Sequence, residues 1–187
     1  MGTETLRQTL KRVTADAHMR TERRFEELDV ASRAGLGALL LAHRAALRAI
    51  APRLAGEDRA YIRDLCPRLI EAIDHDLGAL AIRPTDATAP LSDVAVNPLG
   101  MTYVIAGSRL GARILHKRVS DSACPELHGA RQYLSSETSD GVWQNLVASL
   151  ADCEGDDVAM QEIETSALAA FACFERAVAM GKGGGPE

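Results

Sequence analysis

Two stretches of this chain hold residue types whose spacing could do chemistry. In Thr14-Ala-Asp-Ala-His18-Met-Arg-Thr-Glu22, a histidine precedes a glutamate by four residues. On a helix that spacing stacks both side chains on one face. A carboxylate beside an imidazole can fix its tautomer and raise its basicity as a metal ligand. Lys11 lies two turns before His18, roughly on the same side, where it could offer a positive charge to an anionic group of the same ligand. An exposed histidine on a charge-rich helix is the plainer reading of the same pattern. The second stretch, Leu99 to Arg118, is apolar and helix-length, yet places Gly107 and Gly111 one turn apart. Each interior glycine costs roughly 1 kcal/mol relative to alanine. Two on one face imply a close approach, either by another helix or by a flat ligand. Ser108 adds a hydroxyl that, in mid-helix, can bond back to a carbonyl and bend the axis.

These elements belong to a chain of 187 residues, enough for one domain with a substantial core. Aromatic residues are only 4%, while alanine, leucine and arginine abound, which favours helices over sheets. Three- and four-residue spacing predicts a helix over 3–28, bent or straight, a second over 32–54 with His43 on its apolar stripe, and further helical periodicity over 57–80. Pro67 implies a kink or two pieces there. Residues 83–98 form the longest irregular connection. Helices are then expected near 99–118, 126–134, 141–153 and 156–180, with residues 181–187 a disordered tail. No segment alternates like a strand. The expected fold is all-α, a single helical domain over 1–180.

The formal net charge of −5 and the lack of a basic block argue against a nucleic-acid partner. The N-terminus lacks the layout of a signal peptide, and no apolar run comes near the ~20 residues that span a bilayer. Cys66, Cys124, Cys153 and Cys173 are scattered and read as reduced thiols of a cytoplasmic protein, without membrane attachment. Glu71, Asp74, His75 and Asp76 group carboxylates with a histidine, but a di-iron site needs matching ligands on several helices, and none are evident.

Leu99-Gly100-Met-Thr-Tyr103-Val104-Ile-Ala-Gly107-Ser108-Arg109-Leu110-Gly111 resembles the distal-helix motif of bacterial heme oxygenases, especially those that accompany bacteriophytochromes. The Thr14-x-x-x-His18-x-x-x-Glu22 arrangement is similar to that family's proximal segment. Trp143 and Ala170-Phe171-x-x-Phe174-Glu175 are similar as well, so the resemblance runs in order from about residue 5 to 180. It implies a multi-helix heme-oxygenase-like bundle that holds heme between an N-terminal proximal helix and a glycine-bearing distal helix. His18 would be the iron ligand, Glu22 its neighbour, and Lys11 the partner of a heme propionate. Tyr103, Gly107 and Gly111 would line the distal side, with Gly107, Ser108 and Gly111 acting in catalysis. Heme would be substrate and cofactor together, cleaved with O2 to biliverdin, carbon monoxide and ferrous iron. Electrons would come from a ferredoxin or a reductase, and the product could serve a bacteriophytochrome.

Two positions depart from the family pattern. A glutamate usual before the first distal glycine is Ala106 here, and the aspartate that animal-type enzymes carry after it is Ser108. Proton delivery would then fall to water, backbone or another residue. A second propionate partner is not assigned, with Arg109 and Arg113 among the candidates. The alternatives are a heme-binding or heme-sensing protein without turnover, and a helical interaction module whose glycines only pack helices.

Overall fold

The computed structural model describes residues 4–93, 96–135, 141–153 and 156–182. Among them every regular element is helical. The first helix, α1 (Leu6–Val13), starts at a capping box: Thr5 accepts from the Gln8 backbone while the Gln8 side chain accepts from the Thr5 amide. At Thr14 the chain passes into α2 (Ala15–Glu26), and the Thr14 hydroxyl donates to Leu10 O at 2.7 Å. The single helix expected over 3–28 is therefore two pieces joined at a side chain that competes for a helical carbonyl.

Ser32 caps α3 (Arg33–Leu54), its hydroxyl accepting from Gly35 N at 3.1 Å. Two pieces, α4 (Ala60–Arg63) and α5 (Leu65–Ala79), follow. The break falls at Asp64, three residues before Pro67. That puts the proline in the first turn of α5, where its missing N–H has no helical partner to lose. Asn97 caps α6 (Pro98–Ser120), with Pro98 at its first position. Where a helix is expected near 126–134, a 3₁₀ helix covers only Pro125–Gly129. The chain ends with α7 (Val142–Ala151) and α8 (Asp157–Lys182). Gly181 and Lys182 continue α8, two residues into the expected tail, and residues 183–187 lie outside the described part.

The helices share one cluster of buried apolar side chains, with α3 and α8 at its centre. Packed against α8 are α2, α3 and α6, while α5 lies on α3 and α7 on α6. The crossing of α6 and α8 depends on Gly100, where an added Cβ would lie 2.1 Å from Ile163 O. By length and composition α3 could cross a membrane, with mean hydropathy 1.3, contrary to the expectation that no run comes near. Its most apolar window is 56% buried inside the protein, however, and the helix is a core element here.

Candidate functional site

The two stretches singled out in the sequence face different surroundings. On α2, Ala17 is buried, and Thr21 donates to Glu175 of α8 at 3.3 Å, beside an Arg20–Glu175 ion pair at 3.3 Å. These contacts pin α2 along α8. The His18 side chain is 61% exposed, with Nδ1 3.8 Å from Glu22 Oε2. Water therefore competes for that pair, and the carboxylate orients the ring only weakly. The inner edge of the ring meets Phe171 of α8 edge-on, centroids 5.8 Å apart. Lys11 on α1 is exposed and has no ion pair among the described residues.

On α6 the sequence marked two glycines for a close approach, and neither is closely approached by another helix. A Cβ at Gly107 would find only the rim of Trp143 at 3.8 Å, an ordinary contact, and at Gly111 nothing within 4 Å. The glycine that a helix crossing requires is Gly100. Around Gly111 the helix surface is open and apolar, with Leu110 54% and Ile114 68% exposed. The Ser108 hydroxyl donates back to Ile105 O at 2.7 Å, so it is occupied within its own helix. Ala106 is buried.

At the joint where α2 begins, α6 comes near through the Tyr103 phenol, which interacts with Thr14. Burial pushes the pKa of this phenol up, and Thr14 and Arg7 oppose the shift. Tyr103 also lies 5.9 Å from the Trp143 ring. At the other end of α2 the two helices connect through a chain of rings. Phe25 of α2 meets His43 of α3 at 4.6 Å, His43 meets Tyr133 at 5.5 Å, and the Arg109 guanidinium of α6 lies 4.5 Å over the Tyr133 ring. From Thr14 to Phe25 the rise along α2 is about 16 Å. His18 sits one turn past Thr14, and Gly107 one turn past Tyr103. Between the two ends, Phe171 and Phe174 of α8 lie below, Phe174 touching His43 at 5.3 Å. No His18 atom lies within 4 Å of a Cβ position on either glycine, and Arg109, which ends the ring chain on α6, is about 160° around the helix from both.

The ring chain is the part that sequence reading did not assemble. His43 was legible only as a partly buried histidine on the stripe of α3. Its Nδ1 shares a short hydrogen bond with the Tyr133 hydroxyl. Burial among aromatic rings, aided by the nearby Arg109 charge, brings its pKa down to about 3, so the ring is neutral at ordinary pH. Tyr133 is held from behind by Asp76, fully buried, whose two oxygens accept from Gln132 N at 3.0 Å and Tyr133 N at 2.8 Å. Asp76 is thus a backbone anchor, and no group of three metal-ligating side chains occurs among the described residues. All four cysteines are free, with Cys66 and Cys173 buried.

No protein-family model matches the chain, and no curated protein is similar enough to count as a relative.

Proposed function

We propose that this protein binds heme in a trough between α2 and α6 and cleaves it oxidatively to biliverdin, carbon monoxide and ferrous iron. The observation that carries the reading is the open face at Gly107 and Gly111. Two interior glycines each cost roughly 1 kcal/mol relative to alanine, yet an added Cβ would make only an ordinary contact with Trp143 of α7 at Gly107 and none at Gly111, so no close approach within the chain requires them. A flat ligand lying on the α6 backbone gives them a purpose, and the exposed Leu110 and Ile114 give that ligand apolar cover. A planar molecule of this kind, apolar in the middle and anionic at one edge, needs such a surface with cations at its border. Lys11 and, one turn beyond Ile114, Arg118 supply exposed cations.

Bound heme, with O2 and electrons from a ferredoxin or reductase, would supply the chemistry that opens its own ring. The chain's residues would bind, orient and exclude water. His18 offers an accessible imidazole as iron ligand, edged by Phe171 with Glu22 3.8 Å away. Gly107 and Gly111 let the ligand lie close to backbone, where a side chain at either position would lift it away. Tyr103, a half-buried phenol, and Trp143 would bound the trough at one end.

One observation favours the second reading, heme binding without turnover. The Ser108 hydroxyl is directed to Ile105 O, and Ala106 carries no polar group, so the α6 wall presents no acid of its own.

Hemin titration tests the binding claim. The wild type should give a 1:1 complex with the spectrum of histidine-ligated heme. His18→Ala should lose that ligation signature, and Gly111→Leu should weaken binding at least tenfold. A wild-type chain that gives no Soret complex would overturn both heme readings and leave the interaction module.

A further inference from the structure

The flank of α6 turned away from its glycines carries two arginines, Arg109 and Arg113. Arg109 is two residues from both Gly107 and Gly111, about 160° around the helix. Only 9% of Arg109 is exposed, and it has no carboxylate partner among the described residues. Its Nη2 donates to the carbonyls of Tyr133 and, at 3.5 Å, Ser135, while its Nε is buried with no hydrogen bond at all. Carbonyl dipoles and one aromatic face are weak compensation for a buried guanidinium. The nearest buried acid, Asp76, has both oxygens committed to the loop backbone, with His75 Nδ1 3.2 Å away.

One turn further on, Arg113 is exposed and free of any ion pair or hydrogen bond among the described residues. Arg12, Arg44, Arg59 and Arg63, by contrast, all hold carboxylates. With His116, Leu134 and Ser135, Arg113 lines a solvent-open depression of about 150 Å³. That is the room of about five waters at ~30 Å³ each, too small for an extended ring system and ample for a tetrahedral or planar anion. Ser135 joins the two arginines, since it lines the depression and its carbonyl receives Arg109.

We propose that this depression is a binding site for a small oxyanion, a phosphoryl or carboxylate group, held by Arg113 and His116 with Arg109 as the buried charge behind them. The planar guanidinium forks match such groups bidentately, and Arg109 gains through the wall the counter-charge that its surroundings lack. The site lies on the flank of α6 opposite Gly107 and Gly111 and does not depend on heme.

Nε–H signals of ¹⁵N-labelled arginine in the heme-free protein test it, titrated with inorganic phosphate in one arm and malonate in the other. Saturable shifts at Arg113 and Arg109 are expected in at least one arm, and the arm that saturates at lower concentration identifies the group. Arg113→Ala should weaken that binding at least tenfold, while Arg24→Ala, an exposed arginine on α2, should leave it unchanged. Linear drift in both arms overturns the site, as does equal weakening by the two variants or none by Arg113→Ala.

Discussion

His18 and His43 each meet a phenylalanine of α8 edge-on, and in other respects their surroundings are opposite. His18 is 61% exposed, with a carboxylate at 3.8 Å and solvent on its free side. His43 is enclosed by Phe25, Phe174 and Tyr133, tied at Nδ1 to a phenol, and kept neutral by burial and by Arg109. One ring has its place fixed by packing, and the other is largely open to solvent. The two glycine environments of α6 divide the same way. Gly100 sits against the α8 backbone, whereas Gly107 and Gly111 have room for a side chain. Residues that build the fold are finished by their neighbours, and the residues we propose for a ligand are not.

Truncation sets the two regions furthest apart. Phe174→Ala, which hollows the His43 cage, should cost about 3–5 kcal/mol of stability in urea unfolding. His18→Ala should stay within about 0.5 kcal/mol of wild type. Comparable losses would mean that the trough is as much a part of the core as the cage.

Acid should act through His43. Below about pH 6.5 the unfolded chain's imidazole takes a proton that the folded cage refuses until about pH 3, so this ring's contribution to stability falls as pH falls across that window. The slope is up to about 1.4 kcal/mol per pH unit. His43→Gln should flatten the stability profile over that range, measured by urea unfolding at several pH values; an unaltered slope would assign the acid sensitivity to other groups.

The glycines give the subtler contrast. Gly100→Ala should destabilise by about 1–3 kcal/mol, because the α6–α8 crossing must open to admit a Cβ. Gly111→Ala should stabilise the heme-free protein by about 0.5–1 kcal/mol, through helix propensity alone, while it weakens hemin binding. Thermal melts of the two variants give the signs. If Gly111→Ala destabilised as Gly100→Ala does, both glycines would be packing residues.

Helical character was legible for α3, α5, α6 and α8, whose apolar periodicity leaves little choice, but not for residues 126–134, where only a short 3₁₀ helix forms. The joint at Thr14 was less legible, since a side chain competing for Leu10 O leaves no mark in the pattern of apolar residues. His18, Glu22, Tyr103, Gly107 and Gly111 could be singled out from spacing. Which glycine makes the crossing could not, because that depends on the face of α6 that α8 covers. The cage was out of reach for the same reason. His43, Tyr133 and Arg109 come from three distant segments, and only the tertiary contact that buries them makes them one group.

The central claim is that the open trough holds heme and that the heme is consumed there. The most direct measurement follows the visible spectrum of the hemin complex of the wild-type protein after reductant and oxygen are added. Loss of the Soret band with growth of the broad red absorbance of biliverdin is the predicted result. A heme spectrum that persists under those conditions would contradict turnover and leave a heme-binding protein.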